Sequence, residues 1–470
     1  MSADAFPNDR HRPRYHFLPP RNWMNDPNGL IHWRGRYHLF YQHNPFGAFW
    51  GTMHWGHAVS ADLVHWAHLP IALAPDPDGP DADGCFSGCA IDHNGVPTLL
   101  YTGVRGDHQL PCLATSADDD LLTWTKHPGN PVIAAPPAEL ATTMYRDHSA
   151  WREGGEWRQI VGAGIAGVGG AALLYRSDDL RTWEYLHPLV VETEAMSNAD
   201  RPTVGWECPD VFRLGDRWAL VACFWDGEPI SVSYLTGELV DERFVPAYQG
   251  IVDAGECFYA PQSFADEQGR RVMFGWLREA RPVAAQIAAG WSGVMSLPRV
   301  VSLRPDGTLA FAPAPEVAVL RGHRVSVPGS DVAPGADVPL DGIAGDALEL
   351  QVAFAAGGTD VVGVEVRRAN HGAEVTRVLY DPTRSTLSLD TRHASTDPEV
   401  SGGLYAAQAE LAADEAVRLR VFVDRSVVEV FLNDRVAISG RVYPTLPDSL
   451  GVRVVGALAG PVDAWAMHDA

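Results

Sequence analysis

Three carboxylates and a serine stand at matching positions ahead of a repeated strand pattern. The pattern begins with a glycine each time, at intervals of 60, 60, 60 and 54 residues, at Gly35, Gly95, Gly155, Gly215 and Gly269. Eight or nine residues before the first four glycines lie Asp26, Ser87, Asp147 and Glu207. One carboxyl group held ionised and another held protonated are the equipment for cleaving a glycosidic bond. The spacing therefore predicts a sugar-cleaving site.

Each carboxylate also has a simpler interpretation. Asp26 lies in the sequence NDPNG (residues 25–29), which is typical of a turn. Asp147 follows Arg146, and the two could form a structural ion pair. Glu207 is less easily explained as structural, because it stands between Trp206 and a Cys-Pro pair, and a carboxylate among apolar neighbours tends to be desolvated. The three carboxylates together are more informative than any one of them, because the repeat brings all three to one place.

The same repeat predicts the scaffold. Each unit contains short β-type runs separated by Gly, Asp and Pro, without a long amphipathic helical pattern, which indicates an all-β fold. Five units of about four strands predict a five-bladed β-propeller. The innermost strands of a propeller line its central channel, so residues at one offset should face one another there. The alternative is chance similarity among strands and turns.

A second β domain is expected after the repeat. We assign residues 1–310 to the propeller and residues 311–325, which begin with the Pro/Ala-rich sequence FAPAPE, to a linker. Alternating strands such as residues 348–354 and 417–423 then predict a β-sandwich over residues 326–470. No cluster of titratable residues marks this second domain as catalytic.

Composition narrows the possible partners. The formal net charge of −23 argues against nucleic acid and anionic membranes, and it favours a neutral or cationic ligand. The N-terminus has no apolar run of the signal-peptide type, so we expect a cytoplasmic enzyme. Six scattered cysteines fit reduced thiols rather than a disulfide framework. The sequence carries no signal for the oligomeric state.

No metal site is expected. Four histidines of the first repeat could suggest metal ligands, but they stand at strand and turn spacings beside tryptophans, where structural hydrogen bonding is more common; they are His54, His57, His65 and His68. The same repeat contains aromatic residues that could form flat walls for a sugar ring.

At these residues the sequence resembles glycoside hydrolase family 32, the invertase, inulinase and levanase family. The most specific match is WMNDPNG at residues 23–29. Further matches include residues 50–57 (WGTMHWGH), 86–88 (FSG), 207–210 (ECPD), 258–260 (FYA), 293–299 (GVMSLPR) and, in the second domain, 424–433 (DRSVVEVFLN). The likeness extends over nearly the whole chain.

The resemblance implies a double-displacement mechanism that releases fructose from β-fructofuranosides such as sucrose and short fructo-oligosaccharides, without a cofactor. It implies that Asp26 is the nucleophile, Glu207 the acid/base and Asp147 the transition-state stabiliser. The residues implied to line the fructose subsite are Asn25, Gln42, Trp50, Phe86, Ser87, Arg146 and Trp276.

Two positions depart from the family pattern. His148 stands where the family usually has proline, and Cys257 where it often has an acidic residue. His148 could contact Asp147 or a sugar, or it could face away into the packing between blades, because consecutive strand residues point to opposite sides. Fructosyl transfer on the same scaffold is the nearest alternative function. The WMNDPNG segment and the second domain argue against an arabinan- or xylan-cleaving propeller, and the presence of all three carboxylates argues against a non-catalytic sugar-binding propeller.

Overall fold

The chain is built almost entirely from β-strands. The computed structural model describes residue 6 and residues 9–196, 203–332, 340, 342–400 and 402–470. These residues form one α-helix, α1 (Val283–Ala289), and the 3-10 helices Pro315–Leu320, Gly329–Asp331 and Asn370–Gly372. The expectation about a signal peptide concerns the N-terminus, and residues 1–5, 7 and 8 of that segment lie outside the described residues. Within the described ranges, no helix has the length and apolar character needed to cross a bilayer.

Residues 22–313 form five mostly antiparallel sheets, each a meander of four strands in chain order with short additional strands at two of them. The strands are β1 (Asn22–Trp33), β2 (Arg36–Asn44), β3 (His54–Ser60), β4 (Trp66–Leu73), β5 (Gly84–His93), β6 (Val96–Arg105), β7 (His108–Thr115), β8 (Thr125–Lys126), β9 (Thr142–Glu153), β10 (Glu156–Ile165), β11 (Gly169–Ser177), β12 (Glu184–Val191), β13 (Gly205–Leu214), β14 (Arg217–Trp225), β15 (Pro229–Val240), β16 (Arg243–Ile251), β17 (Phe258–Ala265), β18 (Arg271–Leu277), β19 (Trp291–Ser292), β20 (Val294–Met295), β21 (Arg299–Leu303) and β22 (Leu309–Pro313). Strand β19 pairs in parallel with β1, and β20 pairs with β18.

The five sheets are the blades of a closed propeller. Their first strands contact one another in turn, β1 with β5, β5 with β9, β9 with β13, β13 with β17 and β17 with β1. Apolar side chains fill the spaces between neighbouring blades; between blades 1 and 2, for example, Trp55 and Phe40 pack with Leu99 and Tyr101. The prediction of a five-bladed propeller is confirmed.

Every innermost strand carries a β-bulge at the same level of the channel. The ladder shifts register at residues 25–26 of β1, 87 of β5, 147 of β9, 208–209 of β13 and 260–261 of β17. Asp147, Cys208 and Ala260 have positive φ values of 56°, 45° and 48°. Bulges bend a strand and redirect its side chains, and they are frequent beside active sites. The five bulges therefore mark the level of the channel at which side chains converge.

A β-sandwich follows the propeller. Its strands are β23 (Arg321–Val327), β24 (Ala347–Phe354), β25 (Val362–Arg368), β26 (Val375–Asp381), β27 (Thr386–His393), β28 (Leu404–Gln408), β29 (Val417–Asp424), β30 (Val427–Leu432), β31 (Val436–Arg441), β32 (Gly451–Val455) and β33 (Val462–Met467). One sheet has the order β23-β33-β24-β29-β30-β31 and the other β28-β27-β26-β25-β32. Alternate residues of β24 and β29 enter the shared core, as the period-two pattern predicts.

The segment assigned as a linker differs from its prediction. Residues 311–313 belong to β22, which pairs with β21 in the fifth blade, and residues 321–325 belong to β23, which pairs with β33 of the sandwich. Only residues 314–320 connect the two domains, mostly as the 3-10 helix Pro315–Leu320, whose Val317 and Leu320 are buried. The Pro/Ala composition was misleading because an edge strand such as β22 tolerates proline.

Buried charges join the two domains. His16, which precedes the first blade, contacts Asp424 of the sandwich through Nδ1 (2.8 Å) and Glu429 through Nε2 (3.1 Å). Arg299 of the fifth blade contacts Glu429 (2.5 Å) and Asp253 (2.8 Å). All five side chains are fully buried. Opposite charges at these positions compensate one another, which a buried ionic group requires.

Candidate active site

Asp26 lies in the bulge of β1 and is held by two neutral donors. Ser87 Oγ donates to Asp26 Oδ2 (2.6 Å), and Asn25 Nδ2 donates to Oδ1 (3.0 Å). Asn25 is itself fixed, because its Oδ1 accepts a hydrogen bond from Trp23 Nε1 (2.7 Å). Burial raises the pKa of Asp26, while the hydrogen bonds from Ser87 and Asn25 oppose that rise. The carboxylate is thus oriented by neutral donors and forms no ion pair with the described residues.

Asp147 lies in the bulge of β9. Its backbone N–H donates to Thr102 Oγ1 (3.0 Å), and its Oδ2 accepts a hydrogen bond from the backbone N–H of Cys208 (3.0 Å). Cys208 Sγ lies 3.5 Å from Asp147 Oδ2 and also 3.5 Å from Asp26 Oδ2. The two carboxylates therefore flank one sulfur atom. Burial is the main cause that raises the pKa of Asp147 to about 7; the charge of Arg146 lowers it, and the charges of Glu207 and Asp26 raise it further.

Glu207 is held from both sides. Arg146 donates to its Oε1 from Nε (3.0 Å) and Nη2 (2.6 Å), and Tyr259 donates its hydroxyl hydrogen to Oε2 (2.7 Å). Arg146 also donates to Gln109 Oε1 (3.0 Å), and its guanidinium lies over the Trp225 ring, 5.2 Å from the ring centroid. Arg146 is therefore paired with Glu207 rather than with its neighbour Asp147. Blades 3 and 5 therefore contact this carboxylate directly, and Gln109 of blade 2 holds Arg146 in place.

The offset of Glu207 is one residue different from the sequence prediction. We expected Asp26, Ser87, Asp147 and Glu207 at equivalent positions. The bulge and the positive φ place Cys208 in blade 4 at the position of Asp147 in blade 3, so Glu207 corresponds to Arg146. Each bulge inserts one extra residue, but Gly155 is the second residue of the turn between β9 and β10, whereas Gly215 is the first residue of the turn between β13 and β14. Glu207 nevertheless lies in the site. It directly precedes the bulge of β13, and its carboxylate contacts Arg146, which directly precedes the bulge of β9.

The other predicted binding residues lie around the same carboxylates. Gln42 is buried opposite the bulge of β1 and donates to the carbonyl of Cys85 (3.0 Å). The Trp50 side chain is 60% exposed on the loop between β2 and β3, and its ring meets the edge of Phe86 at a centroid distance of 6.1 Å. Trp276 packs against Trp23 (5.8 Å), and within the described structure its buried Nε1 has no partner.

The sequence predictions assigned no role to Tyr259 and Cys208, which contact the carboxylates, or to Gln109, which contacts Arg146. Tyr259 lies in the matched motif FYA and Cys208 in ECPD, so the family resemblance pointed to both residues but did not assign them a function. Gln109 stood in no motif. Its contact with Arg146 depends on the angle between blades 2 and 3, which spacing along the chain does not encode.

His148 makes no hydrogen bond with the three candidate carboxylates. Its ring is buried, and neither ring nitrogen has a hydrogen-bond partner among the described residues. Burial lowers the pKa of His148 to about 3. This arrangement agrees with the packing interpretation rather than with an imidazole that contacts Asp147. Cys257 is also buried, in the apolar cluster where blade 5 meets the sandwich residue Val427.

The histidines of blade 1 make structural contacts. His57 stacks on Phe40 at a centroid distance of 4.1 Å, and its Nε2 lies 2.9 Å from Nδ1 of His38. His65 caps a turn through Asp62 (2.7 Å). Over the described ranges, no group of three His, Cys, Asp or Glu side chains is arranged to hold a metal ion.

A separate cavity of about 510 Å³ lies on the other side of the bulges. Residues that follow the bulges in all five innermost strands line it, including Asp210 and Arg271. Gln262 donates to the carbonyl of Gly88 (2.8 Å) across the channel at this level. The three catalytic candidates do not line this cavity, so the chemistry belongs to the opposite end of the channel.

Comparison with known proteins gives matches over both domains. Residues 16–313 match the model of the glycosyl hydrolases family 32 N-terminal domain, and residues 317–462 match that of the family 32 C-terminal domain. A raffinose invertase of Escherichia coli is 37% identical, and a sucrose-6-phosphate hydrolase of Escherichia coli is 36% identical; each alignment covers 92% of this chain and 89% of the relative. The crystal structure of fructan 1-exohydrolase IIa from Cichorium intybus superposes with a TM-score of 0.87 at 28% identity and covers 98% of both chains.

Proposed function

Because this chain belongs to glycosyl hydrolase family 32, we propose that Asp26, Glu207 and Asp147 carry out its hydrolysis of β-fructofuranosides with retention of configuration. The enzyme is a β-fructofuranosidase that releases fructose, as the invertase and hydrolase relatives support. The observation that carries this proposal is the convergence of the three carboxylates at the bulges of β1, β9 and β13, where Asp26 and Asp147 flank Cys208 Sγ and Arg146 contacts Glu207. Asp26 has only neutral side-chain donors, whereas Glu207 is bracketed by a guanidinium and a phenol.

In the first step, an oxygen of Asp26 attacks the anomeric carbon of the fructosyl unit. The bond to the leaving oxygen breaks, and Glu207 gives its proton to that oxygen. In the second step, Glu207 takes a proton from a water molecule, the water oxygen attacks the same carbon, and the bond to Asp26 breaks. Two inversions give net retention, and Glu207 is protonated again.

Asp147 stabilises the charge that develops between these steps. The ring passes through an oxocarbenium-like transition state, which carries positive charge. A fixed carboxylate beside the ring favours that charge without reorganisation at the moment of reaction. The hydrogen bond from the Cys208 backbone to Oδ2 fixes the orientation of this carboxylate.

We infer that the substrates are sucrose and short fructo-oligosaccharides. Asn25, Gln42, Trp50, Phe86, Ser87, Arg146 and Trp276 would line the fructose subsite. We also infer a cytoplasmic location, because all six cysteines are free thiols, as in proteins of reducing compartments. Nucleic acid and membranes are not expected as partners at a net charge of −23.

Product analysis tests this function. The purified enzyme is incubated with sucrose, sucrose 6-phosphate or 1-kestose, and the products are separated by chromatography. We expect free fructose in amounts equal to the other product. NMR during the first turnovers should show β-fructose before mutarotation; α-fructose as the first anomer would contradict the nucleophile assignment. Products larger than the substrate would instead indicate fructosyl transfer.

A further inference from the structure

Two carboxylates attract the charge of Arg146. Asp147 is the next residue in the chain, and Glu207 lies on the neighbouring blade. Burial disfavours the charged guanidinium, but the negative charges of Glu207 and Asp147 outweigh burial and raise the pKa of Arg146. Among the described residues, however, the carboxylate that accepts its hydrogen bonds is that of Glu207 alone. Electrostatic attraction by itself therefore does not explain which carboxylate the guanidinium contacts.

Two neutral side chains hold the rest of this guanidinium. Gln109, on β7 of blade 2, accepts a hydrogen bond from Arg146 Nη1 at 3.0 Å. Trp225, the last residue of β14 in blade 4, has its ring centroid 5.2 Å from the guanidinium carbon. The guanidinium is planar and its donors form a rigid fork. A contact that fixes Nη1 and a ring that fixes the plane therefore also fix the direction of Nε and Nη2.

The direction of Nε and Nη2 sets the position of Glu207. Both nitrogens hold Oε1, so Oε2 is the oxygen that can carry the proton for the leaving group. Proton transfer requires donor and acceptor within about 2.6–3.2 Å of each other. A displacement of about 1 Å by a residue outside the reaction can cost about 10²-fold in rate. A shift of Arg146 would thus reach the chemistry through Glu207.

We propose that Gln109 and Trp225 are positioning residues for the acid/base: they hold Arg146 against Glu207 and thereby keep Glu207 in line with the leaving oxygen. This inference rests on the proposed function. The effect of both residues passes through Arg146 and concerns the step in which Glu207 gives its proton. A substrate whose leaving group needs little protonation should therefore be less sensitive to their loss.

The test compares two substrates with the same fructosyl ring and different leaving groups. The glucose oxygen of sucrose leaves as an alkoxide unless it is protonated, whereas 4-nitrophenyl β-fructofuranoside releases a stable phenolate. The value of kcat/KM covers the steps up to the fructosyl-enzyme, in which Glu207 acts as an acid. In Gln109→Met and in Trp225→Leu, we expect kcat/KM for sucrose to fall about tenfold or more and that for the aryl substrate to stay within about threefold.

The control variants separate positioning from folding. Trp225→Phe keeps an aromatic ring beneath the guanidinium, so it should retain most of the activity on both substrates. Gln351→Met removes another half-buried glutamine that contacts a charged group, Glu349 at 2.9 Å, in the sandwich. It should change neither value. Gln109 and Trp225 lie on different blades, so a folding defect in one variant does not prevent the test.

Two results would overturn the positioning role. Equal losses on sucrose and on the aryl substrate in both Gln109→Met and Trp225→Leu would indicate weaker fructose binding or a damaged fold, because both substrates place the same ring in the same subsite. Unchanged kcat/KM for sucrose in both variants would show that Arg146 does not depend on either residue. Both results leave the proposed function standing. Failure of the wild-type enzyme to release fructose from sucrose would instead refute the function itself.

Discussion

Arg146 donates two hydrogen bonds to one carboxylate oxygen of Glu207, from Nε at 3.0 Å and from Nη2 at 2.6 Å. The two residues lie 61 positions apart, at equivalent places on neighbouring blades. This pairing leaves the other oxygen of Glu207 to Tyr259 alone. The Arg146 guanidinium thus orients the carboxyl group through Oε1. The Tyr259 hydroxyl, a weaker neutral donor, contacts Oε2, the oxygen at which a proton can be exchanged.

Glu207→Gln should abolish most of the activity without unfolding the protein. The amide keeps the shape of the side chain but has no proton to give to the leaving oxygen, and general acid catalysis contributes about 10²–10⁴-fold. Steady-state kinetics on sucrose and a thermal melt measure the two properties. Glu238→Gln, an exposed carboxylate of the same blade, is the control. Turnover above about half of the wild-type value would remove Glu207 from the acid/base role.

Tyr259→Phe should lower kcat more than it raises KM. The hydroxyl touches Glu207 and not the bound fructose in this proposal, so its removal disturbs proton transfer rather than binding. A hydrogen bond to a charged group is worth about 1.5–3 kcal/mol, which corresponds to about 10–100-fold in rate. Tyr145→Phe removes another buried hydroxyl, one that contacts Tyr175 at 2.9 Å, and should leave both constants unchanged. A change confined to KM would place Tyr259 in the binding site instead.

How much of this site the sequence predicts can be judged from the spacing of its repeat. The regular spacing places Asp26, Ser87 and Asp147 at one level of the channel, because equal repeats put equal offsets on equivalent strands. Glu207 lies one residue off that level, because Gly215 is the first residue of its turn, whereas Gly155 is the second residue of its own. A count along the chain cannot resolve where a glycine stands within a two-residue turn, although it identifies the blade and the channel level.

Contacts between blades are the part that the sequence does not predict. The hydrogen bond from Arg146 to Gln109 and that from Tyr259 to Glu207 each join residues of different blades, and their geometry depends on blade rotation. The predicted start of the linker after blade 5 is wrong for another reason. Proline and alanine at residues 312–315 suit a linker by composition, but the start of this stretch forms the edge strand β22.

Asp147 should make the activity fall as the pH drops through about 7. Burial raises the pKa of this carboxyl group to about 7, so the group gains a proton and loses the charge that stabilises the transition state. The acid limb of the kcat/KM profile for sucrose reports this titration. Asp147→Asn should lower kcat/KM by orders of magnitude above pH 7, and its difference from the wild type should shrink as the pH falls below 7. An acid limb near pH 4 would contradict the assignment.

Asp147→Asn should also stabilise the folded protein at high pH. The folded-state pKa lies above the unfolded value, so the stability associated with the protonated form is present at low pH and is lost as the pH rises through about 7. The ionised wild-type carboxylate therefore costs stability at pH 8, and the neutral amide avoids that cost. The melting temperature of the variant should exceed that of the wild type at pH 8, and the difference should shrink at pH 5. An equal difference at both values would exclude this explanation.

His16 should make the junction between the domains sensitive to high pH. Its contacts with Asp424 and Glu429 outweigh burial and raise its pKa to about 9. The folded pKa exceeds the unfolded one, so this stabilisation is fully present below about pH 6.5 and is lost as the pH rises through about 9. His16→Gln should therefore lower the free energy of unfolding by about 3 kcal/mol at pH 6 and by much less at pH 10.

Denaturant unfolding at the two pH values checks this expectation for His16. His65→Gln is the matched control, because His65 also contacts a carboxylate, Asp62, but is half exposed and lies outside the junction. An equal loss of stability for His16→Gln at pH 6 and at pH 10 would show that packing, rather than charge, is what His16 contributes.

His148→Leu should stabilise the protein while leaving catalysis nearly unchanged. The buried imidazole has two ring nitrogens without partners among the described residues, and burial lowers its pKa to about 3, so it remains neutral throughout the working range. A buried polar group without a hydrogen bond costs about 1–3 kcal/mol, and an apolar side chain of similar size removes that cost. We expect a higher melting temperature and a kcat/KM for sucrose within about tenfold of the wild type. Asp147→Asn, one residue away, provides the comparison, since it removes charge at the reacting ring. If His148→Leu reduced kcat/KM as severely as Asp147→Asn with the fold intact, His148 would belong to the active site and not to the packing between blades.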